Sequence, residues 1–190
     1  MKKQNLRQCP GCRAEFPIQK DIDQYQTVGI ARYGVASPEC SYAYCELQNY
    51  ERERFGYPAA NRLIVDAYAV QHPPHREYQQ KLGINQRLVA ASHQSVAVHL
   101  IALYAAFEKN IELLKIAKIM DMILSKNIEF PELKAPENLG DIRAIDVLHA
   151  IKEKELNLDE YTQLAKKWAH SAWDAWKEHH KTVKEWHESA

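Results

Sequence analysis

The chain has 190 residues, 46% of them hydrophobic, which suits one domain with a single sizeable core and argues against disorder. Lys plus Arg and Asp plus Glu number 25 each, so the chain lacks the net positive charge typical of nucleic-acid binding. No apolar run approaches the ~20 residues that span a bilayer, and the N-terminal residues do not read as a secretory signal. We therefore expect a cytoplasmic protein that binds neither nucleic acid nor membranes.

The first predicted elements surround the sequence CPGC at residues 9–12. Residues 13–36 read as irregular and are compatible with a short hairpin. Ser37, as an N-cap before Pro38, predicts a helix that ends near residue 54. A second helix is predicted from Pro58 to His72, because Pro73 and Pro74 cannot continue it.

The second half of the chain is predicted to be helical apart from its proline-containing linkers. After a loop over residues 73–91, Ser92 is expected to cap a central, largely apolar helix. Residues 112–124 either continue that helix or form a separate amphipathic one. Further helices are predicted at about 141–154 and from the capping box Asn157-x-x-Glu160 to about residue 187.

These elements predict an all-α fold. We expect a bundle of about five to six helices over residues 37–190. An irregular, cysteine-bearing lobe, residues 1–36, would pack on this bundle, and the two parts together would form a single domain over residues 1–190.

All 4 cysteines lie within the first 45 residues. The spacing Cys9-x-x-Cys12 lets the two sulfur atoms of a tight turn reach one tetrahedral zinc ion. Cys40 lies in the first turn of its predicted helix, where the helix dipole favours the thiolate. A thioredoxin-like redox pair is the alternative, but no βαβ pattern accompanies the motif, and unmetallated thiols are the plainest alternative.

The fourth ligand is less obvious. Cys45 follows Cys40 by five residues, which on a regular helix separates the two side chains by about 140° around the axis. Cys45 is therefore the less favoured ligand and is expected to pack as a small apolar residue. His72 is the first candidate.

Other histidines lie where an apolar core would not require them. His99 interrupts the run SVAVHLIALY, and His179 and His180 follow Trp176 on the last helix. A lone core histidine is usually a hydrogen-bonded packing residue, but histidines on several helices of a bundle can also hold one metal, with an acid such as Asp66 behind them. His99, His179, His180 and Asp66 are therefore the candidates for a catalytic site.

The segments CPGC, SPEC, DAYAVQHP, QSVAVHL and WAHSAWDAWKEHH occur in this order along nearly the whole chain. In this respect the chain resembles a mainly bacterial family without an established activity, domain of unknown function 5946. The resemblance implies that the functional positions are Cys9, Cys12, Cys40, Asp66, Gln71, His72, Gln94, His99, His179 and His180. Family members also carry a histidine shortly before the Ser-Pro pair, but the corresponding segment here, GIARYGVASPEC, has none. The fourth ligand in this chain would then be His72, Cys45 or water.

Three hypotheses follow from the sequence. The first is a zinc-binding helical domain in which a structural metal on Cys9, Cys12, Cys40 and His72 holds the N-terminal lobe. The second is a metal-dependent, hydrolase-like enzyme with His72, His99 and either His179 or His180 around an open metal position. The third is an interaction module whose apolar helix faces form a homodimer.

Overall fold

The chain folds mainly into helices. A computed structural model describes residues 5–18, 36–74, 86–126 and 128–189, with side chains described from residue 93 onward in the third range. Within these residues, two strands, β1 (Leu6–Gln8) and β2 (Glu15–Pro17), precede seven α-helices. The helices are α1 (Pro38–Phe55), α2 (Asn61–Val70), α3 (Gln86–Phe107), α4 (Leu113–Ser125), α5 (Ala144–Glu153), α6 (Leu158–Ala175) and α7 (His180–Ser189). The all-α prediction is confirmed.

The N-terminal segment is a small antiparallel hairpin, with Leu6 opposite Pro17 and Gln8 opposite Glu15. The CPGC motif lies in the turn, where the Cys9 amide donates to the Ala14 carbonyl and the Arg13 amide donates to the Cys9 carbonyl. The short hairpin that the sequence left open is thus present within an otherwise irregular N-terminal segment, and residues 19–35 lie outside the described part of the chain. Phe16 is buried and joins the hairpin to the core.

The helices pack around a continuous set of buried side chains. Helix α2 packs against α6 and α3, α1 against α5, and α3 against α4 and α7. The largest fully buried side chains include Trp168, Trp173 and Trp176, so the aromatic C-terminal stretch forms core. No described helix has both the length and the hydropathy needed to cross a membrane.

Helix α1 begins as predicted. The backbone amide of Cys40 donates to the Ser37 hydroxyl over 3.2 Å, and Pro38 occupies the first turn. The capping box of α6 is also present, with the Glu160 amide 2.9 Å from Asn157 Oδ1 and the Asn157 amide 3.0 Å from Glu160 Oε2. Both helix starts follow from local hydrogen bonding.

Two predicted boundaries were wrong. Helix α3 already begins at Gln86, so Ser92 lies inside the helix and residues 86–91 are not loop; residues 75–85 of the predicted loop lie outside the described chain. The final helix is not continuous: after Ala175 the chain passes through a 3₁₀ turn at Lys177–His179 before α7 begins. Residues 113–125 form a separate helix rather than an extension of α3.

Candidate metal centre

Three separate segments bring four potential metal ligands together. Cys9 and Cys12 come from the hairpin turn, Cys40 from the first turn of α1, and His72 from the residues after α2. Their ligand atoms, three Sγ and one imidazole nitrogen, all lie within 4.8 Å of one another, and all four residues are buried. They are the one group of this kind among the described residues.

Three of the distances between ligand atoms can be compared with those around one tetrahedral ion. Cys12 Sγ lies 3.7 Å from Cys40 Sγ, and His72 Nε2 lies 3.6 Å from Cys9 Sγ and 3.2 Å from Cys40 Sγ. For ideal tetrahedral zinc, bond lengths near 2.3 Å to sulfur and 2.0–2.1 Å to nitrogen place sulfur atoms about 3.8 Å apart and sulfur and nitrogen about 3.6 Å apart. The arrangement therefore fits one tetrahedral ion.

The last turn of α2 orients the imidazole of His72. Its Nδ1 lies 2.6 Å from the carbonyl oxygen of Tyr68, one turn earlier, so Nδ1 carries the proton and Nε2 is directed at the thiols. The Tyr68 ring packs against the imidazole with a centroid distance of 4.1 Å and stacks on Tyr44 at 3.8 Å. This backing leaves Nε2 as the nitrogen available to a metal.

The beginning of α1 supplies further support to the thiols. The backbone amide of Ser37 donates to Cys9 Sγ over 3.3 Å, and Cys40 lies in the first turn of the same helix. Amide donors and the positive end of a helix dipole both stabilise thiolates. The sequence SPEC therefore contributes both one ligand and an amide donor to another.

The protonation of the cluster shows how strongly its members interact. Burial raises the pKa of Cys9, but hydrogen bonds from Cys12 and Cys40 and the charge on His72 outweigh burial and hold that pKa well below its usual value. Burial lowers the pKa of His72, but the charge of the Cys9 thiolate and the hydrogen bonds of His72 with Cys12 and Cys9 raise that pKa to about 10. Burial, followed by the neighbouring thiols, raises the pKa of Cys40. Without a metal, the cluster thus favours a thiolate–imidazolium pair, in which positive charge is supplied by a proton.

A residue distant in sequence supports the turn. Arg143, at the start of α5, donates from Nε to the Cys12 carbonyl over 2.8 Å and from its guanidinium to the carbonyls of Gly140 and Ile142. The sequence offers no local pattern that identifies Arg143, because its role depends on where the chain returns 131 residues later.

Cys45 is outside the cluster, in agreement with the angular argument. It is exposed, however, so the expectation that it packs as an apolar residue was wrong. Its position on the outer face of α1 follows from the five-residue separation from Cys40.

The histidines of the second hypothesis do not converge on one another. His72 has one ring nitrogen at the thiols and the other at Tyr68, whereas His99 Nδ1 lies 2.6 Å from Asp66 Oδ1. His179 Nε2 lies 2.8 Å from the Lys134 carbonyl, and the His180 ring stacks on Trp173 with a centroid distance of 3.7 Å. The proposed three-histidine site is therefore absent from the described part of the chain, and Asp66 supports His99 rather than His72.

Two further positions indicated by the resemblance have structural partners. Gln71 is buried, and its amide nitrogen donates to the carbonyls of Leu139 and Ile142. Gln94 pairs with the backbone of Phe130, donating to its carbonyl over 2.8 Å and accepting from its amide over 3.0 Å. Both side chains hold irregular segments onto helices.

Comparison with known proteins agrees with this arrangement of motifs. No curated protein and no solved structure is significantly similar to the chain. The sequence profile of a family of unknown function, DUF5946, matches residues 7–177, which include the hairpin except Leu6, all four cluster residues and the helices as far as the start of the 3₁₀ turn. The chain therefore belongs to the DUF5946 family.

Proposed function

We propose that this protein is a zinc-binding helical domain in which the ion has a structural role. The observation that carries the proposal is the meeting of Cys9, Cys12, Cys40 and His72 at one buried point, with ligand atoms at most 4.8 Å apart. A shared cation would hold together three thiols and a histidine that come from three separate segments of the chain.

The ligand types favour zinc over other common ions. Three sulfur atoms and one imidazole nitrogen form a soft donor set, which suits zinc and is unsuited to magnesium or calcium, since these prefer oxygen. The tetrahedral distances agree with the geometry of zinc in such sites.

The closed nature of the site favours a structural role over a catalytic one. Four protein ligands satisfy a tetrahedral ion, and all four residues are buried, so no coordination position faces solvent. Catalytic zinc sites instead keep a position for water or substrate.

The metal would also connect the N-terminal hairpin to the helical bundle. The strands of the hairpin have three residues each, and an isolated two-stranded hairpin is at best marginally stable in water. Coordination by Cys9 and Cys12 would join this hairpin to α1 through Cys40 and to the end of α2 through His72. Because the binding energy of a structural zinc is also folding energy, the ion would stabilise the hairpin on the bundle.

Elemental analysis of the purified protein tests this proposal directly. We expect about one zinc per chain, and loss of the ion in a Cys9→Ser variant. Cys45→Ser is the matched control, because this exposed cysteine lies outside the cluster and its replacement should leave the zinc content unchanged.

Cobalt substitution provides an independent readout of the ligand set. Cobalt bound by three thiolates in a tetrahedral site should show intense visible bands and thiolate charge transfer, both altered by His72→Ala. Zinc-free protein whose hairpin is as well ordered as in the zinc-loaded form would contradict the proposal, as would equal metal retention by Cys9→Ser and wild-type protein.

A further inference from the structure

A second cluster of polar side chains lies at a cleft between α2, α3 and α4. The cleft has a volume of about 420 Å³, within the range of small-molecule sites. Val98, Ala117, Met120 and Leu124 contribute apolar walls. The polar side is formed by Arg62 and His99, with Asp66 behind them.

Asp66 is a buried carboxylate with two partners. Arg62 pairs with both of its oxygens, from Nε to Oδ2 over 2.9 Å and from the terminal nitrogen to Oδ1 over 2.7 Å. His99 Nδ1 lies 2.6 Å from the same Oδ1. Asp66 thus accepts hydrogen bonds from a guanidinium and from an imidazole at the same time.

The bond to Asp66 determines which nitrogen of His99 is available. An ionised carboxylate only accepts hydrogen bonds, so Nδ1 carries the proton and, in the neutral ring, Nε2 carries a lone pair. The side chain of His99 is 14% exposed and lines the cleft, and no described residue forms a hydrogen bond with Nε2. The ring is thus an oriented base at the polar end of an otherwise mainly apolar cleft.

A larger groove elsewhere in the described structure also contains a histidine paired with a carboxylate, His170 with Asp174, but both of these side chains are more than half exposed. It has a volume of about 920 Å³ and runs between residues 134–142 and the end of α6. Its walls carry charged surface side chains, including Lys134, Lys167 and Glu178. The ring nitrogen of His179 is already paired with the Lys134 carbonyl there.

The charges around His99 indicate the class of ligand. Besides Asp66, the exposed carboxylate of Asp121 on α4 borders the cleft, and Arg62 is the one cation lining it among the described residues. A ligand that arrives as an anion adds negative charge beside two carboxylates. A ligand that arrives neutral and transfers a proton to His99 leaves the total charge of the cleft unchanged.

We propose that this cleft binds a small molecule of the phenol class, with an apolar ring and one weakly acidic hydroxyl, and that His99 accepts the hydroxyl proton. The O–H bond breaks, the proton forms the Nε2–H bond, and the electron pair stays on the ligand oxygen. The resulting imidazolium donates from Nδ1 to Asp66 and from Nε2 to the phenolate. The ring of the ligand contacts the apolar walls.

The probe for this proposal is 4-nitrophenol, whose visible absorption distinguishes the phenol from the phenolate. It is titrated into full-length, metal-loaded protein at a pH where the free probe is mainly protonated. We expect saturable binding with the phenolate spectrum, and weaker binding of nitrobenzene, which has a similar ring without the hydroxyl.

Two variants test the role of His99. In His99→Asn the amide can still donate to Asp66 but the base is lost, so we expect binding of 4-nitrophenol to weaken about tenfold or more and the phenolate spectrum to disappear. The control is His170→Asn, because His170 Nδ1 also pairs with a carboxylate, Asp174, over 2.8 Å but does so outside the cleft. That variant should bind like wild-type protein.

A third variant does not depend on the stability of the Asp66 contacts. Ala117 is exposed on α4 and lines the cleft, so Ala117→Phe should fill it and abolish binding without removing a buried group. The proposal is overturned if 4-nitrophenol does not bind, or if nitrobenzene binds equally well. It is also overturned if folded His99→Asn or Ala117→Phe protein binds the probe as wild-type protein does.

Discussion

Trp168 donates its indole N–H to the side-chain oxygen of Gln71 over 2.9 Å, deep in the core between α6 and the end of α2. The amide nitrogen of Gln71 donates to the carbonyls of Leu139 and Ile142 over 2.9 and 2.7 Å. One buried side chain therefore joins α6, the segment before α5 and the residue that precedes His72. This anchoring helps to determine where the imidazole lies.

Replacing Gln71 by Leu should destabilise the fold strongly. The change leaves the Trp168 indole N–H and the Leu139 carbonyl without their partner, and each such group costs about 1–3 kcal/mol, whereas the Ile142 carbonyl keeps the Arg143 guanidinium. We expect the free energy of unfolding, measured by urea denaturation, to fall by roughly 3 kcal/mol or more. Gln163→Leu, on the exposed face of α6, is the control and should change it little. Equal effects of the two substitutions would show that the Gln71 contacts contribute no specific stability.

Removal of the metal should loosen one end of the molecule rather than all of it. Because the hairpin is small, we expect chelation to increase amide hydrogen exchange at residues 5–18 and in the first turn of α1. Exchange in α6 should change little, since its tryptophan-rich face is buried in the helical core. Hydrogen exchange with mass spectrometry measures both regions in one experiment. If chelation increased amide exchange equally in the hairpin and in α6, the metal would stabilise the whole fold and not the hairpin alone.

Arg143 should influence metal retention without being a ligand. Arg143→Lys keeps the positive charge but loses the planar set of donors that reaches Cys12, Gly140 and Ile142. Loss of such supporting contacts typically lowers metal affinity about 10- to 100-fold. We expect the affinity of Arg143→Lys for zinc, measured by competition with a chromophoric chelator, to fall about tenfold.

Arg13→Lys is the matched control for Arg143. The exposed side chain of Arg13 donates to the Glu137 carbonyl and to no ligand residue, and the bond from its backbone amide to the Cys9 carbonyl is kept in Arg13→Lys. Its replacement should leave zinc affinity close to that of wild-type protein. Unchanged affinity in Arg143→Lys would contradict a supporting role for Arg143.

Glu51 should make stability depend on pH. Burial raises the pKa of this carboxyl group, and hydrogen bonds from Asn61 and Tyr161 lower it by less. A raised pKa in the folded state means that Glu51 favours folding when protonated, below its unfolded pKa. That contribution is lost as the pH rises through the folded pKa, because the buried group must then ionise.

Glu51→Gln should therefore become more stable relative to wild-type protein as the pH rises from about 4 to about 7. Each unit by which the pKa is raised adds about 1.4 kcal/mol to this difference. Urea denaturation of both proteins at each pH measures it, and comparison at equal pH removes the contribution of the metal site. Glu53→Gln, exposed on the same helix, is the control. A difference that is constant with pH, or that shrinks as the pH rises, would contradict the sign of the shift.

The two wrong helix boundaries have different physical causes. Ser92 has the chemistry of an N-cap, but no glycine or proline separates it from Gln86, and the intervening residues tolerate a helix, so the helix continues through it. The break after Ala175 has no glycine or proline to announce it. After the 3₁₀ turn, helix α7 packs on α3, so we attribute the break to packing rather than to local propensity.

The sequence by itself determined the parts of the site that depend on neighbours along the chain. It placed Cys9 and Cys12 in one turn, Cys40 in a capped first turn and Cys45 on another face, because turn, cap and helix geometry act over a few residues. Only the tertiary structure decided which partner each histidine contacts. His72 contacts the thiols, and His99 contacts the carboxylate of Asp66. His179 and His180 each contact a backbone carbonyl. The rotation and packing of each helix set these pairings, and contacts such as that of Trp168 with Gln71, 97 residues apart, have no signature in the local sequence.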